Sequence, residues 1–231
     1  MPHYRHLFFD LDHTLWDFET NARETLAELY EEFDLAGRGA VQVDRYITDY
    51  ENRNAWCWAQ YRAGQMDRET LRIARFQYLL DQYNINDRGL AYTLSDEYLH
   101  RCPLKPHLMP YAWESLTYLK KKYTLHLITN GFRVTQFTKL RKSKLEPFFN
   151  TITTSEEAGV LKPDPRMFHY ALKLADVEAH DSIYIGDHIE VDMRGAREAG
   201  LDHVFYNPKH QPHKEAVTFE IHSLSELQEL F

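Results

Sequence analysis

The stretch Tyr4-Arg5-His6-Leu7-Phe8-Phe9-Asp10-Leu11-Asp12 constrains this chain more than any other. Its apolar, aromatic-rich run has the length of a buried strand, and it stops at two carboxylates. Packing alone asks for no acids there, because a desolvated carboxylate needs a partner. In open α/β sheets, ligands bind outside the carboxyl ends of the strands. Asp10 and Asp12 are therefore expected at a strand end, beside a bound cation or group.

Beyond Thr14 the pattern changes. From Asp17 to about Leu99 apolar residues recur at helical spacing, and strand-like runs are nearly absent. Asp67 is expected to cap a helix that runs through Leu80. Pro103 and Pro106 punctuate the exit. From Met109 onward, short apolar runs alternate with helical stretches. Strands are expected at 124–129, 150–154, 182–185, 203–206 and 218–221, and helices at 111–122, 133–140, 165–174, 193–199 and 224–230. That alternation predicts the α/β class, with a doubly wound parallel sheet. The expected division is a core of residues 1–15 and 105–231, interrupted by an all-helical insert over 16–104.

Composition narrows the partners. The formal net charge of -8 argues against binding a nucleic-acid polymer, whose phosphates are met by Lys and Arg. An anionic substrate would need cations placed locally. No apolar run is long enough to span a bilayer. Cys57 and Cys102 make neither a disulfide framework nor a metal-site spacing, so a reducing cytoplasm is the expected compartment, with no leader read before the first strand.

Three expected strands stop at polar residues suited to one chemistry: the first at Asp10 and Asp12, another at Thr129 and Asn130, a third at Asp187 with Asp192 five residues on. Between the last two lies Lys162-Pro163-Asp164-Pro165, where proline holds the lysine backbone extended. In a parallel sheet these ends face the same way. Converging acids repel unless a hard cation sits among them, and Mg²⁺ with oxygen ligands fits best. Asp10 can act as a carboxylate nucleophile towards phosphorus. Asp12 can give and take the proton. Thr129 and Asn130 can donate to phosphoryl oxygens, and Lys162 supplies positive charge to nucleophile and substrate.

These segments resemble the motifs of the haloacid dehalogenase (HAD) superfamily. Asp10-Leu11-Asp12-His13-Thr14 is similar to its first motif, Thr129-Asn130-Gly131 to its second, Lys162-Pro163-Asp164-Pro165 to its third, and Gly186-Asp187 through Asp192 to its fourth. The resemblance implies a HAD-like Rossmannoid core with a helical cap where the insert lies. It implies catalysis by Asp10, Asp12 and Lys162 through an aspartyl phosphate. It also implies Mg²⁺ held by the Asp10 carboxylate, the Asp12 backbone carbonyl and Asp187, with Asp192 a ligand or just behind. His13 stands where close relatives usually have glycine; it either narrows the entrance or turns to solvent. Dehalogenases of the superfamily lack the second acid, so Asp12 favours phosphate hydrolysis.

The insert resembles the cap of bacterial pyrimidine 5′-nucleotidases at Asn52-Arg53-Asn54-Ala55-Trp56 and Tyr61-Arg62-Ala63-Gly64. Taken one by one, the cap aromatics are expected in the cap's own core. Trp56 is the candidate to stack on a base, and Arg53 a candidate contact to phosphate or base. The resulting expectation is a Mg²⁺-dependent 5′-nucleotidase acting on nucleoside monophosphates, as a monomer or homodimer. The alternatives are a sugar-phosphate phosphatase or phosphomutase of the same superfamily, and a non-enzymatic phosphoaspartate signalling domain.

Overall fold

The computed structural model of the chain describes residues 4–231. The chain divides into two compact units, one of Met1–Phe18 with Pro106–Phe231 and one of Glu19–Lys105. The first unit holds a six-stranded sheet in the order β3-β2-β1-β4-β5-β6. Its strands are β1 (His6–Phe9), β2 (Thr124–Thr129), β3 (Thr151–Thr154), β4 (Ser182–Gly186), β5 (Asp202–Tyr206) and β6 (Phe219–Ile221). All neighbouring pairs are parallel. Each inner strand is buried on both faces, so it reads as a continuous apolar run rather than an alternating one.

The second unit is helical, with α1 (Phe18–Glu32, its first residue still in the first unit), α2 (Val43–Arg62), α3 (Arg68–Gln82) and α4 (Arg88–Arg101). The Asp67 side chain accepts from Thr70 N–H at 2.7 Å and so caps α3. Tyr46, Tyr50 and Phe76 are wholly buried, and Tyr50 packs its ring 4.9 Å from Phe76 and 5.3 Å from Tyr98. Among the described residues no helix is long and apolar enough to cross a membrane.

The sheet is flanked by α5 (Ala112–Leu119), α6 (Arg133–Lys142), the single turn α7 (Ser155–Ala158), α8 (Pro165–Ala175), α9 (Arg194–Glu198) and α10 (Leu227–Leu230). Phe8, Ile128, Phe168, Tyr184 and Phe205 belong to one buried cluster between sheet and helices. Each buried side chain of this size is worth about 1.5–3 kcal/mol. The helix expected at 193–199 is differently built: a π-turn at Ile189–Met193 leads into α9. Helix α5 ends at Leu119 rather than Lys122 because the three lysines after it form turns.

β1 is the switch point. Phe9 is aligned with Leu127 of β2 on one side and Ile185 of β4 on the other. The strand order reverses there, which opens a crevice at the carboxyl edge. The ends of β1, β2 and β4 therefore emerge side by side.

Candidate active site

Asp10 follows β1 directly, and its N–H donates to Ile185 O at 2.9 Å, prolonging the sheet by one residue. Its carboxylate is buried and accepts from Lys162 Nζ at 2.5 Å. Lys162, only 2 % exposed, also donates to Asp192 Oδ1 at 2.7 Å, to Tyr184 Oη at 2.8 Å and to Ile128 O at 3.2 Å. Asp192 is held as well by Tyr184 O–H at 2.8 Å and His188 N–H at 3.1 Å. Gly186 makes that approach possible: a Cβ there would lie 2.7 Å from Asp192 Cγ. Asp187 accepts from Thr14 O–H at 3.0 Å.

One carboxylate oxygen each from Asp10, Asp187 and Asp192 lie within 4.8 Å of one another. Burial pushes Asp10 up to about 7, with Asp192 and Asp12 adding and Lys162 opposing. Burial and then Asp192 and Asp10 raise Asp187 well above the usual carboxylate range. Lys162 is raised despite its burial, by Asp10 and Asp192. Three carboxylates against one ammonium leave excess negative charge. An oxygen-ligated divalent cation is the group that such a donor set fits. The Asp12 carboxylate is not one of the three.

Asp12 accepts from Lys139 Nζ at 2.5 Å and from Gln136 Nε2 at 2.8 Å. Burial raises its pKa, but Lys139 and Gln136 outweigh that and hold it below the ordinary range. Thr129 Oγ1 accepts from Gly131 N–H and from Gln136 Nε2, both at 3.1 Å, so its own hydrogen remains to donate. Asn130, expected as a second donor to phosphate, has its carboxamide on the Lys162 backbone instead. Nδ2 donates to Lys162 O at 2.9 Å, and Lys162 N–H donates to Oδ1 at 2.7 Å. His13 is exposed with φ +67° in the turn after Asp12, a left-handed conformation that glycine adopts without strain. Its ring lies 4.9 Å from Phe18.

Asp10, Asp12, Thr129, Asn130, Lys162, Asp187 and Asp192 thus gather at one sheet edge. Arg53 and Trp56 belong to α2 of the helical unit. Trp56 is 45 % exposed with its ring edge-on to Tyr78, and Arg53 donates to Gln82 Oε1 at 3.2 Å. Sequence reasoning missed Gln136, Lys139 and Tyr184. Tyr184 carried a signal, a hydroxyl inside an otherwise apolar strand. Gln136 and Lys139 carried only a weak one, their i,i+3 spacing beside Leu140.

Known proteins resemble this chain over most of its length. A family model described as haloacid dehalogenase-like hydrolase matches residues 4–200. YfnB of Bacillus subtilis, a HAD-hydrolase by name, is 30% identical, covering 98% of this chain and 95% of its own. A crystal structure of YfnB bound to magnesium, described as revealing interdomain movement, superposes with a TM-score of 0.88 over 98% of each chain. Pyrimidine 5′-nucleotidase PynA of Streptococcus pneumoniae is 28% identical over 97% of this chain and 93% of its own. Pyrimidine 5′-nucleotidase YjjG of Escherichia coli is 28% identical over 97% and 96%.

Proposed function

Given that the chain belongs to the haloacid dehalogenase-like hydrolases, we propose that it is a Mg²⁺-dependent phosphomonoesterase of nucleoside 5′-monophosphates that works through a phosphorylated Asp10. The observation that carries this reading is the Lys162–Asp10 pair set among Asp187 and Asp192 at the switch point of the sheet. With Lys162 in place the buried acid, at about 7, is about half ionised at neutral pH; without that ammonium it would be pushed higher still. Lys162 favours its charged, nucleophilic form. Thr129 offers its hydroxyl hydrogen to a phosphoryl oxygen.

Asp12 exchanges the proton. As Asp10 bonds to phosphorus, the bond to the leaving oxygen breaks and that oxygen takes from Asp12 a proton that the bound monoester monoanion has passed to it. Water then adds to phosphorus, the Asp10–phosphorus bond breaks, and Asp12 receives the water's proton. Asp10 and Asp187, with the Asp12 backbone carbonyl, are the proposed holders of Mg²⁺; Asp192, already engaged by Lys162 and Tyr184, stands behind them. When bound, the ion offsets the charge between carboxylate and phosphate.

The nucleotide preference is supported by PynA and YjjG, both named pyrimidine 5′-nucleotidases. The helical unit is the proposed cap that chooses among esters, with Arg53 and Trp56 as its candidate contacts. The test is phosphate release from nucleoside monophosphates, sugar phosphates and small esters, with Mg²⁺ and with chelator. Pyrimidine nucleotides should be turned over fastest. Preference for a sugar phosphate would move the enzyme to the other phosphatase reading, and a stable phosphoprotein without phosphate release would overturn the hydrolytic one.

A further inference from the structure

One face of α6 carries two buried polar side chains outside the four sequence motifs. Gln136 and Lys139 are three residues apart, hence neighbours on the helix, and are 1 % and 4 % exposed. They divide the Asp12 carboxylate between them. Lys139 Nζ lies 2.5 Å from Oδ1 and Gln136 Nε2 lies 2.8 Å from Oδ2. The ammonium is closed in on other sides by aromatic rings, with the Trp16 centroid at 4.2 Å and the Phe18 centroid at 5.4 Å. A lysine this buried needs an ionised partner, and Asp12 supplies it. Gly131 is shaped to the same arrangement, since a Cβ there would fall 1.5 Å from Gln136 Nε2.

We propose that Lys139 is a positioning residue for the second half of the reaction. It fixes the orientation of the Asp12 side chain, which takes the proton of the water attacking phospho-Asp10. Gln136 completes the clamp on the other oxygen and ties it to Thr129. This rests on the phosphatase reading above. In the step concerned, the water oxygen bonds to phosphorus. The phosphorus–Asp10 bond breaks, its electron pair returns to Asp10, and one water proton passes to Asp12. Formation of phospho-Asp10 from an ester whose leaving oxygen needs no proton does not call on Asp12. The two halves are therefore separable.

The experiment is steady-state and rapid-mixing kinetics of the full chain with 4-nitrophenyl phosphate and Mg²⁺. For Lys139→Met, kcat should fall about tenfold or more, within the range of a displaced general base. KM should fall with it, leaving kcat/KM within about threefold of wild type. Mixing should show a burst of nitrophenolate approaching one per active site. Lys139→Gln, which retains a donor, should show the same split to a lesser degree and serves if the methionine variant does not fold. A folded variant that loses kcat/KM in step with kcat, or that keeps wild-type kcat, overturns the proposal alone. A wild type that releases no nitrophenolate overturns the phosphatase reading and this one with it.

Discussion

Asn130 and Lys162 are joined by two reciprocal hydrogen bonds, carboxamide to peptide, between loops 32 residues apart in the chain. The pair ties the end of β2 to the loop before α8 and fixes where the Lys162 side chain starts. Both the donor and the acceptor of the amide are used, so no other side chain substitutes well. Asn130→Ala should loosen the lysine and lower kcat about 10- to 100-fold, with a stability loss of about 1–3 kcal/mol for the orphaned buried groups. Asn130→Asp should be worse than Asn130→Ala at neutral pH, because a carboxylate oxygen would then face Lys162 O. Phosphate-release kinetics and denaturant unfolding on the two variants check both statements.

The separate surroundings of Asp10 and Asp12 predict separable losses. Asp10 belongs to the acid trio, and Asp12 belongs to the Lys139–Gln136 clamp. Asp10→Asn should abolish turnover with the fold intact and weaken Mg²⁺ binding. Asp12→Asn should remove most activity, about 10²–10⁴-fold for a lost acid–base group, yet bind Mg²⁺ as wild type does. Titration calorimetry with Mg²⁺ reads the difference; equal loss of metal in both variants would contradict the assignment.

Much of this site was legible because strand ends are legible. The apolar runs before Asp10, Thr129 and Asp187 predicted three buried parallel strands, and parallel strands send their last residues to one edge. The contacts made between loops and from helix to strand end were not legible. Asn130 looked like a donor to substrate because nothing local shows that the Lys162 backbone arrives beside it. Gln136 and Lys139 have the side-chain types of an ordinary solvated helix face. Only the packing of α6 over Asp12, with the rings of Trp16 and Phe18 around the ammonium, turns that face inward. The π-turn at Ile189–Met193, which brings Asp192 back beneath Gly186, has no signature in hydrophobic spacing.

The excess negative charge of the trio predicts how Mg²⁺ and pH act on stability. Without metal, the folded state holds protons on Asp10, up to about pH 7, and on Asp187, whose pKa is also raised. The unfolded chain gives these protons up near pH 4. Folding is then proton-linked: the Asp10 contribution to stability is lost as pH rises from about 4 to 7, and the Asp187 contribution as pH rises through its own raised pKa. Mg²⁺ at a hundred times its dissociation constant should restore about 2.7 kcal/mol. Asp187→Asn should be more stable than wild type without metal at pH 8 and should gain little from Mg²⁺. Denaturant unfolding at pH 6 and pH 8, with and without Mg²⁺, gives all four comparisons.

A second pH effect arises away from the site and has the opposite sign. His126 lies in β2, buried, with Nδ1 2.8 Å from Thr151 Oγ1 and Nε2 3.2 Å from His6 Nδ1, and its ring stacked 4.5 Å from Phe8. Burial, and then the neighbouring His6, push it down to about 4 from 6.5. The folded state therefore refuses a proton that the unfolded chain accepts. Stability from this group is whole above about pH 6.5 and is lost progressively as pH falls towards 4. Between pH 7 and pH 5 the loss should be about 2 kcal/mol by that linkage. His126→Leu removes the titrating ring from the same apolar position, so its unfolding free energy should change less over that interval. The difference between the two proteins, measured by urea unfolding with Mg²⁺ present throughout, isolates His126 from the carboxylates. If wild type and variant lose stability in parallel, His126 carries no part of the acid sensitivity.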